Sequence, residues 1–127
     1  MYPFICPFTC PFMLRVTYKI VVNTTTRTLT LYKDGKWFKS FPVAIGKPST
    51  PTPKGTFHIK NKAANPGGAF GARWLGLSAT SGSYGIHGTN DPSSIGKAVS
   101  NGCIRMYNED VIFLYNTVPV GTEVQII

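Results

Sequence analysis

The residues predict a mostly-β domain with one short helix. Three observations carry this. Val, Ile, Thr, Tyr and Phe are abundant from Tyr18 to Ile127, and 13 glycines and 10 prolines punctuate the 127-residue chain. Short apolar runs alternate with period two, and only one segment repeats at helical spacing. Hydrophobic residues make up 43% and charged residues 14%, enough to build a core. The length suits one domain.

The elements follow in order. Val16 to Asn23 places Val16, Tyr18, Ile20 and Val22 on one face, a strand. Thr28 to Tyr32 is a second strand, and Asp34-Gly35 between Lys33 and Lys36 supplies a hairpin turn. Trp37 to Ile45 is a third, with Pro42 pointing to an edge or a bulge. Residues 46–55 hold three prolines and read as a stiff loop before the strand Thr56 to Lys60. Asn65 to Gly71 is Gly-rich and reads as a mobile surface loop. Arg73 to Ser78 and Tyr84 to His87 read as short buried strands. Asn108 suits an N-cap, and Glu109 and Asp110 suit the positive end of a helix. Val111, Leu114, Tyr115 and Val118 give that helix an inward face, Pro119 and Gly121 stop it, and Glu123 to Ile127 is a closing strand.

Residues 1–15 form a Pro/Cys-rich arm ahead of a folded domain at 16–127. Proline at 3, 7 and 11 rules out a regular helix there. The arm reads as a linker stub, with a metal or redox site on Cys6 and Cys10 as the alternative. The same prolines would interrupt the apolar core of a signal peptide, so the route of export is not legible. No apolar run reaches about 18 residues, so no membrane span is expected.

Thirteen basic residues against five acidic ones leave a formal charge of +8. Such a surface concentrates polyanions. Lys and Arg are scattered singly, without a basic stripe or docking motif, so nucleic acid is not the expected partner. An anionic cell wall polymer is the other class that such a charge allows. Trp37 and Trp74 read as core or groove-wall residues.

The chemistry lies in Ile86-His87-Gly88-Thr89 and Ser100-Asn101-Gly102-Cys103-Ile104-Arg105-Met106. A thiol is a weak nucleophile until it loses its proton. An imidazole can take that proton and a guanidinium can stabilise the charge. Gly88 and Gly102 remove bulk, so that a carbonyl could reach the thiol and meet backbone N–H groups. Taken alone, a lone cysteine is as often a small buried hydrophobe, and a lone histidine a structural residue. His58, His87 and Cys103 are zinc's usual ligand types, yet no close-spaced ligand pair occurs within the domain, so neither metal nor cofactor is expected.

Five blocks decide between these readings. Tyr18–Val22, Phe41–Lys47, Thr50–Phe57, Ile86–Thr89 and Ser100–Met106 resemble the YkuD-type L,D-transpeptidase family, in the family's order. The resemblance implies a β-sandwich of mixed sheets, with the one short helix after the nucleophile loop. It implies Cys103 as nucleophile, His87 as base, oxyanion-hole amides from Gly102, Cys103 and Asn101, and Arg105 holding the loop or a substrate carboxylate. The substrate would be a peptidoglycan tetrapeptide stem, cross-linked through a cysteine thioester with loss of the terminal D-alanine, in the cell envelope or spore wall. Alternatives are an L,D-carboxypeptidase on the same site and a non-catalytic wall-binding module. Sortases and NlpC/P60 peptidases fit less well, because their arginine or their Cys–His order differs. Many members read Ser-His-Gly-Cys where this chain has Asn101, but His87 stands separately, so the base is kept. Asp91 is the nearest acidic residue, and a backbone carbonyl is expected to orient His87 instead. Ser100 reads as a turn residue rather than a second nucleophile.

Overall fold

The structure is a computed structural model that describes residues 17–79 and 84–127. The arm bearing Cys6 and Cys10 lies outside the described residues, as does Val16. Strand β1 (Tyr18–Asn23) and strand β2 (Thr28–Lys33) pair antiparallel, burying Ile20 and Val22 of one and Leu29 and Leu31 of the other. The Asp34-Gly35 turn leads into β3 (Lys36–Gly46), with Lys33 opposite Lys36. The bulge in this pairing falls where Leu31 and Tyr32 face Lys39 and Trp37, not at Pro42. Pro42 faces Thr28 at the end of the β2 pairing, and the pairing of β3 with the strand Ile104–Met106 begins one residue later, at Val43. A residue without an N–H is tolerated at that change of partner.

The remaining strands are β4 (Gly55–Ala64), β5 (Arg73–Leu77), β6 (Gly85–His87), β7 (Ala98–Ser100), β8 (Ile104–Met106) and β9 (Glu123–Ile126), with helix α1 (Asn108–Thr117) before the last. The pairings run β2-β1-β9-β4-β5-β6-β8-β3, and β3 pairs back onto β2. Eight strands therefore close into a barrel, with β7 joined to the end of β3. This corrects the expected sandwich of mixed sheets. Period-two alternation shows which face of each strand is buried but carries no information on whether the sheet closes. Closure here depends on one 11-residue strand, β3, that reaches β2 with its first half and β8 with its second. Strands β7 and β8, of three residues each, are too short to show a period and were not among the expected elements.

The barrel interior holds one apolar cluster, including Ile59, Leu75, Leu77, Ile86, Ile104, Met106 and Val124. Helix α1 adds Val111 and Leu114 to it. Its Phe113 lies 6.0 Å from Phe41 on β3, and Lys62 on β4 donates to the Tyr115 carbonyl at 2.8 Å. The helix thus reaches across between opposite walls of the barrel. A ten-residue helix is marginal in water. Burying each of its aliphatic side chains contributes about 1.5–3 kcal/mol, so packing holds it in place.

Candidate active site

Strands β6 and β8 are parallel neighbours, with Ile86 opposite Ile104 and His87 opposite Arg105. Residues in register share a face. Ile86, Ile104 and Met106 point into the barrel and are fully buried. His87 and Arg105 therefore point outward, and Cys103 lies in the loop just before β8. On the other side of β6, Trp74 of β5 is in register with His87 and stacks on it, centroids 5.7 Å apart and planes 18° apart. His87 and Arg105 thus stand on adjacent strands and one outer face, and Cys103 immediately precedes β8.

The imidazole is buried, with 4% of its residue surface exposed. Phe70 stands edge-on to it at 5.1 Å and to Trp74 at 5.2 Å. Phe70 comes from the Gly-rich segment expected to be a mobile surface loop. That segment forms a tight turn, with Asn65 N–H donating to the Ala72 carbonyl at 2.8 Å, and it delivers an aromatic ring to the His87 imidazole. His87 Nδ1 lies 2.5 Å from the Gly88 carbonyl. A carbonyl only accepts, so Nδ1 carries the proton and Nε2 has the lone pair. Asp91 plays no part in this. Its carboxylate accepts from Ser93 Oγ, and its backbone bonds Thr89 and Ser94.

Burial lowers the His87 pKa, the Gly88 carbonyl partly opposes this, and the Arg105 guanidinium lowers it further. Burial raises the Cys103 thiol, while a hydrogen bond with the Gly85 backbone and the charge of Arg105 pull it down. Both shifts favour the neutral forms, imidazole and thiol. For the thiol, desolvation outweighs the two neighbours that favour its ionised form.

The loop before Cys103 is tied by Ser100. Its hydroxyl donates to the Cys103 carbonyl at 2.6 Å and accepts from Gly102 N–H at 3.1 Å. The Gly102 amide is therefore engaged within the turn. Gly102 has φ 117°, and a Cβ there would lie 2.5 Å from the Tyr84 ring, so the glycine serves the turn and the close approach of Tyr84. A Cβ on Gly88 would overlap Asn108 Oδ1, so that glycine makes room for Asn108 rather than for a carbonyl at the thiol. Asn108 is the first residue of α1, with Tyr107 at the N-cap position. Its side chain, expected to cap the helix, bonds the backbone of Ala72 and Thr89 instead. Asn101 is exposed at the tip of the loop.

The stiff Pro-rich loop backs the turn. Thr50 Oγ1 and Lys47 N–H both donate to the Ser100 carbonyl, at 2.9 and 3.0 Å, and Thr52 Oγ1 accepts from Gly46 N–H at 2.9 Å. His58 lies on β4 opposite Glu123, two strands away from His87 in the sheet, so the structure does not bring it to the thiol. Among the described residues, no three His, Cys, Asp or Glu side chains are grouped to hold a metal ion.

The profile of the family described as YkuD, L,D-transpeptidase catalytic domain, matches residues 17–126. The chain belongs to this family. The YkuD protein of Bacillus licheniformis is 56% identical over 111 residues, which are 87% of this chain and 66% of its own length. Its Bacillus subtilis counterpart is 55% identical over the same coverage. The chain thus spans just under two thirds of the length of these curated relatives. The NMR structure of the catalytic domain of the Enterococcus faecium L,D-transpeptidase superposes with a TM-score of 0.74 at 28% identity, over 87% of this chain and 96% of that domain. Family membership extends over the barrel, the nucleophile loop and α1 alike.

Proposed function

We propose that this domain is a cysteine acyltransferase, an L,D-transpeptidase acting on peptidoglycan tetrapeptide stems. The observation that carries the reading is that His87 lies on β6 beside parallel strand β8, which Cys103 immediately precedes, with the imidazole tautomer set by the Gly88 carbonyl. Nε2 of His87 takes the thiol proton as Cys103 Sγ attacks the carbonyl carbon of the third stem residue. The developing oxyanion is met by the Cys103 amide, with Asn101 on the same loop as a second contributor and Gly102 shaping the turn. The C–N bond to D-alanine then breaks, and His87 returns the proton to the departing amine. A side-chain amine from a neighbouring stem attacks the thioester, forms the amide and restores the thiol.

Arg105 faces His87 across the strands and holds positive charge beside the site. That charge disfavours an imidazolium in the resting enzyme and attracts the stem's terminal carboxylate. The chain's charge of +8 suits an anionic wall polymer and an extracytoplasmic place in the cell envelope or spore wall. No helix of the described residues is long and apolar enough to cross a membrane.

The test is mass spectrometry of muropeptides after incubation with disaccharide-tetrapeptide. A three-to-three cross-linked dimer is expected. Tripeptide alone would reassign the domain as an L,D-carboxypeptidase, and unchanged tetrapeptide would leave a wall-binding module.

A further inference from the structure

We infer that Asn108 is a positioning residue for the base: it locks the Gly88–Thr89 peptide so that the Gly88 carbonyl stays aimed at His87 Nδ1. Asn108 Oδ1 accepts two backbone N–H bonds, from Ala72 and from Thr89, each at 3.1 Å, and Nδ2 donates to the Thr89 carbonyl at 3.0 Å. The Gly88 carbonyl and the Thr89 N–H belong to one peptide plane. In a trans peptide these two groups point in opposite directions, and no cis bond occurs among the described residues. Holding the Thr89 N–H on one side therefore directs the Gly88 oxygen to the other, where the imidazole lies.

Without such a hold the plane would turn easily, because a glycine flanks it. The glycine is nevertheless required, since a Cβ on Gly88 would overlap Asn108 Oδ1. A Cβ on Gly71 would also overlap that oxygen. The packing thus leaves two side chains out so that one carboxamide can reach two backbone segments.

The second accepted bond has a separate consequence. Ala72 ends the turn that carries Phe70 and directly precedes β5, which carries Trp74. Both rings contact the His87 imidazole. Asn108 therefore joins the hydrogen bond that sets the tautomer to the segment that packs the ring. It touches neither thiol nor substrate. Its effect on the reaction passes through His87.

The proposal rests on His87 acting as the base, but the deciding measurement needs no substrate. Nitrogen-15 NMR of the folded domain reads the imidazole tautomer. The wild-type His87 is expected to carry its proton on Nδ1 alone, and Asn108→Ala is expected to give a mixture of tautomers. Acylation of Cys103 by a carbapenem should slow on the order of a hundredfold in Asn108→Ala, as for a displaced catalytic group. Asn108→Asp, which keeps an oxygen for both accepting contacts but turns its second oxygen toward the Thr89 carbonyl, should recover the Nδ1–H tautomer and part of the rate. An Nε2–H tautomer in the wild type would overturn the proposal. So would a folded Asn108→Ala with an unchanged tautomer. If Asn108→Ala fails to fold, the wild-type spectrum and Asn108→Asp decide. A preserved tautomer effect with no cross-linked product would instead count against the transpeptidase reading alone.

Discussion

Cys103 is held protonated mainly by burial, against the pull of the Gly85 backbone and of Arg105. The same guanidinium lowers the His87 pKa. Removing it should therefore raise both. In Arg105→Gln, the midpoint of iodoacetamide alkylation at Cys103 is expected to move to higher pH, read on the Cys103 peptide so that Cys6 and Cys10 do not interfere. The imidazole midpoint, read by NMR, should rise as well. An unchanged or lowered thiol midpoint would show that the arginine is not sensed at the sulfur. Cys103 and His87 stood out in the sequence as candidates because their residue types and motif suit the chemistry. Asn108 and Phe70 were not, since an amide read as a helix cap and a ring in a Gly-rich loop acquire their roles only when distant segments meet.

Ser100 shows how the nucleophile loop is built as an element. Its buried hydroxyl spans the turn from the Gly102 amide to the Cys103 carbonyl, while Thr50 and Lys47 hold its own carbonyl. Ser100→Ala leaves two backbone groups without their partner, at a cost of roughly 1–3 kcal/mol. Urea unfolding should show that loss, and acylation of Cys103 should slow because the sulfur's backbone is no longer fixed. Equal stability and equal rate would mean the turn is held by the Pro-rich loop alone. At this scale the hairpin, β4, β5 and α1 were readable from alternation, turn residues and helical spacing. Strand β4 runs to Ala64, four residues beyond the expected end, because its partner β5 continues the ladder to Arg73. Strands β7 and β8 exist because longer neighbours pair with them.

For the molecule as a whole, closing the barrel places His87 on a buried strand, and that burial links folding to pH. The His87 pKa is lowered in the fold, so the unfolded chain binds that proton more readily. Its stabilising contribution is complete above the unfolded value of about 6.5 and is lost as pH falls from there toward the folded value. The thiol works in the opposite sense. Its raised pKa stabilises the fold below the unfolded value of about 8.5 and stops doing so as pH rises through the folded value. Urea midpoints of wild type should fall between pH 7.5 and pH 5 by more than those of His87→Gln. An identical fall in the two proteins would show that the imidazole is not desolvated. The alternation of apolar residues set the inner face of this barrel in advance, but closure remained hidden, because it rests on which strands β3 joins.

Acylation of the sulfur by way of a neutral imidazole is tested most directly by intact-protein mass spectrometry with peptide mapping, after brief exposure to a tetrapeptide stem or a carbapenem. Wild-type protein should gain one acyl group on the Cys103 peptide, and folded His87→Ala should gain it roughly 10²–10⁴ times more slowly. An adduct on any other residue, or His87→Ala reacting at the wild-type rate, would contradict the assignment of nucleophile and base.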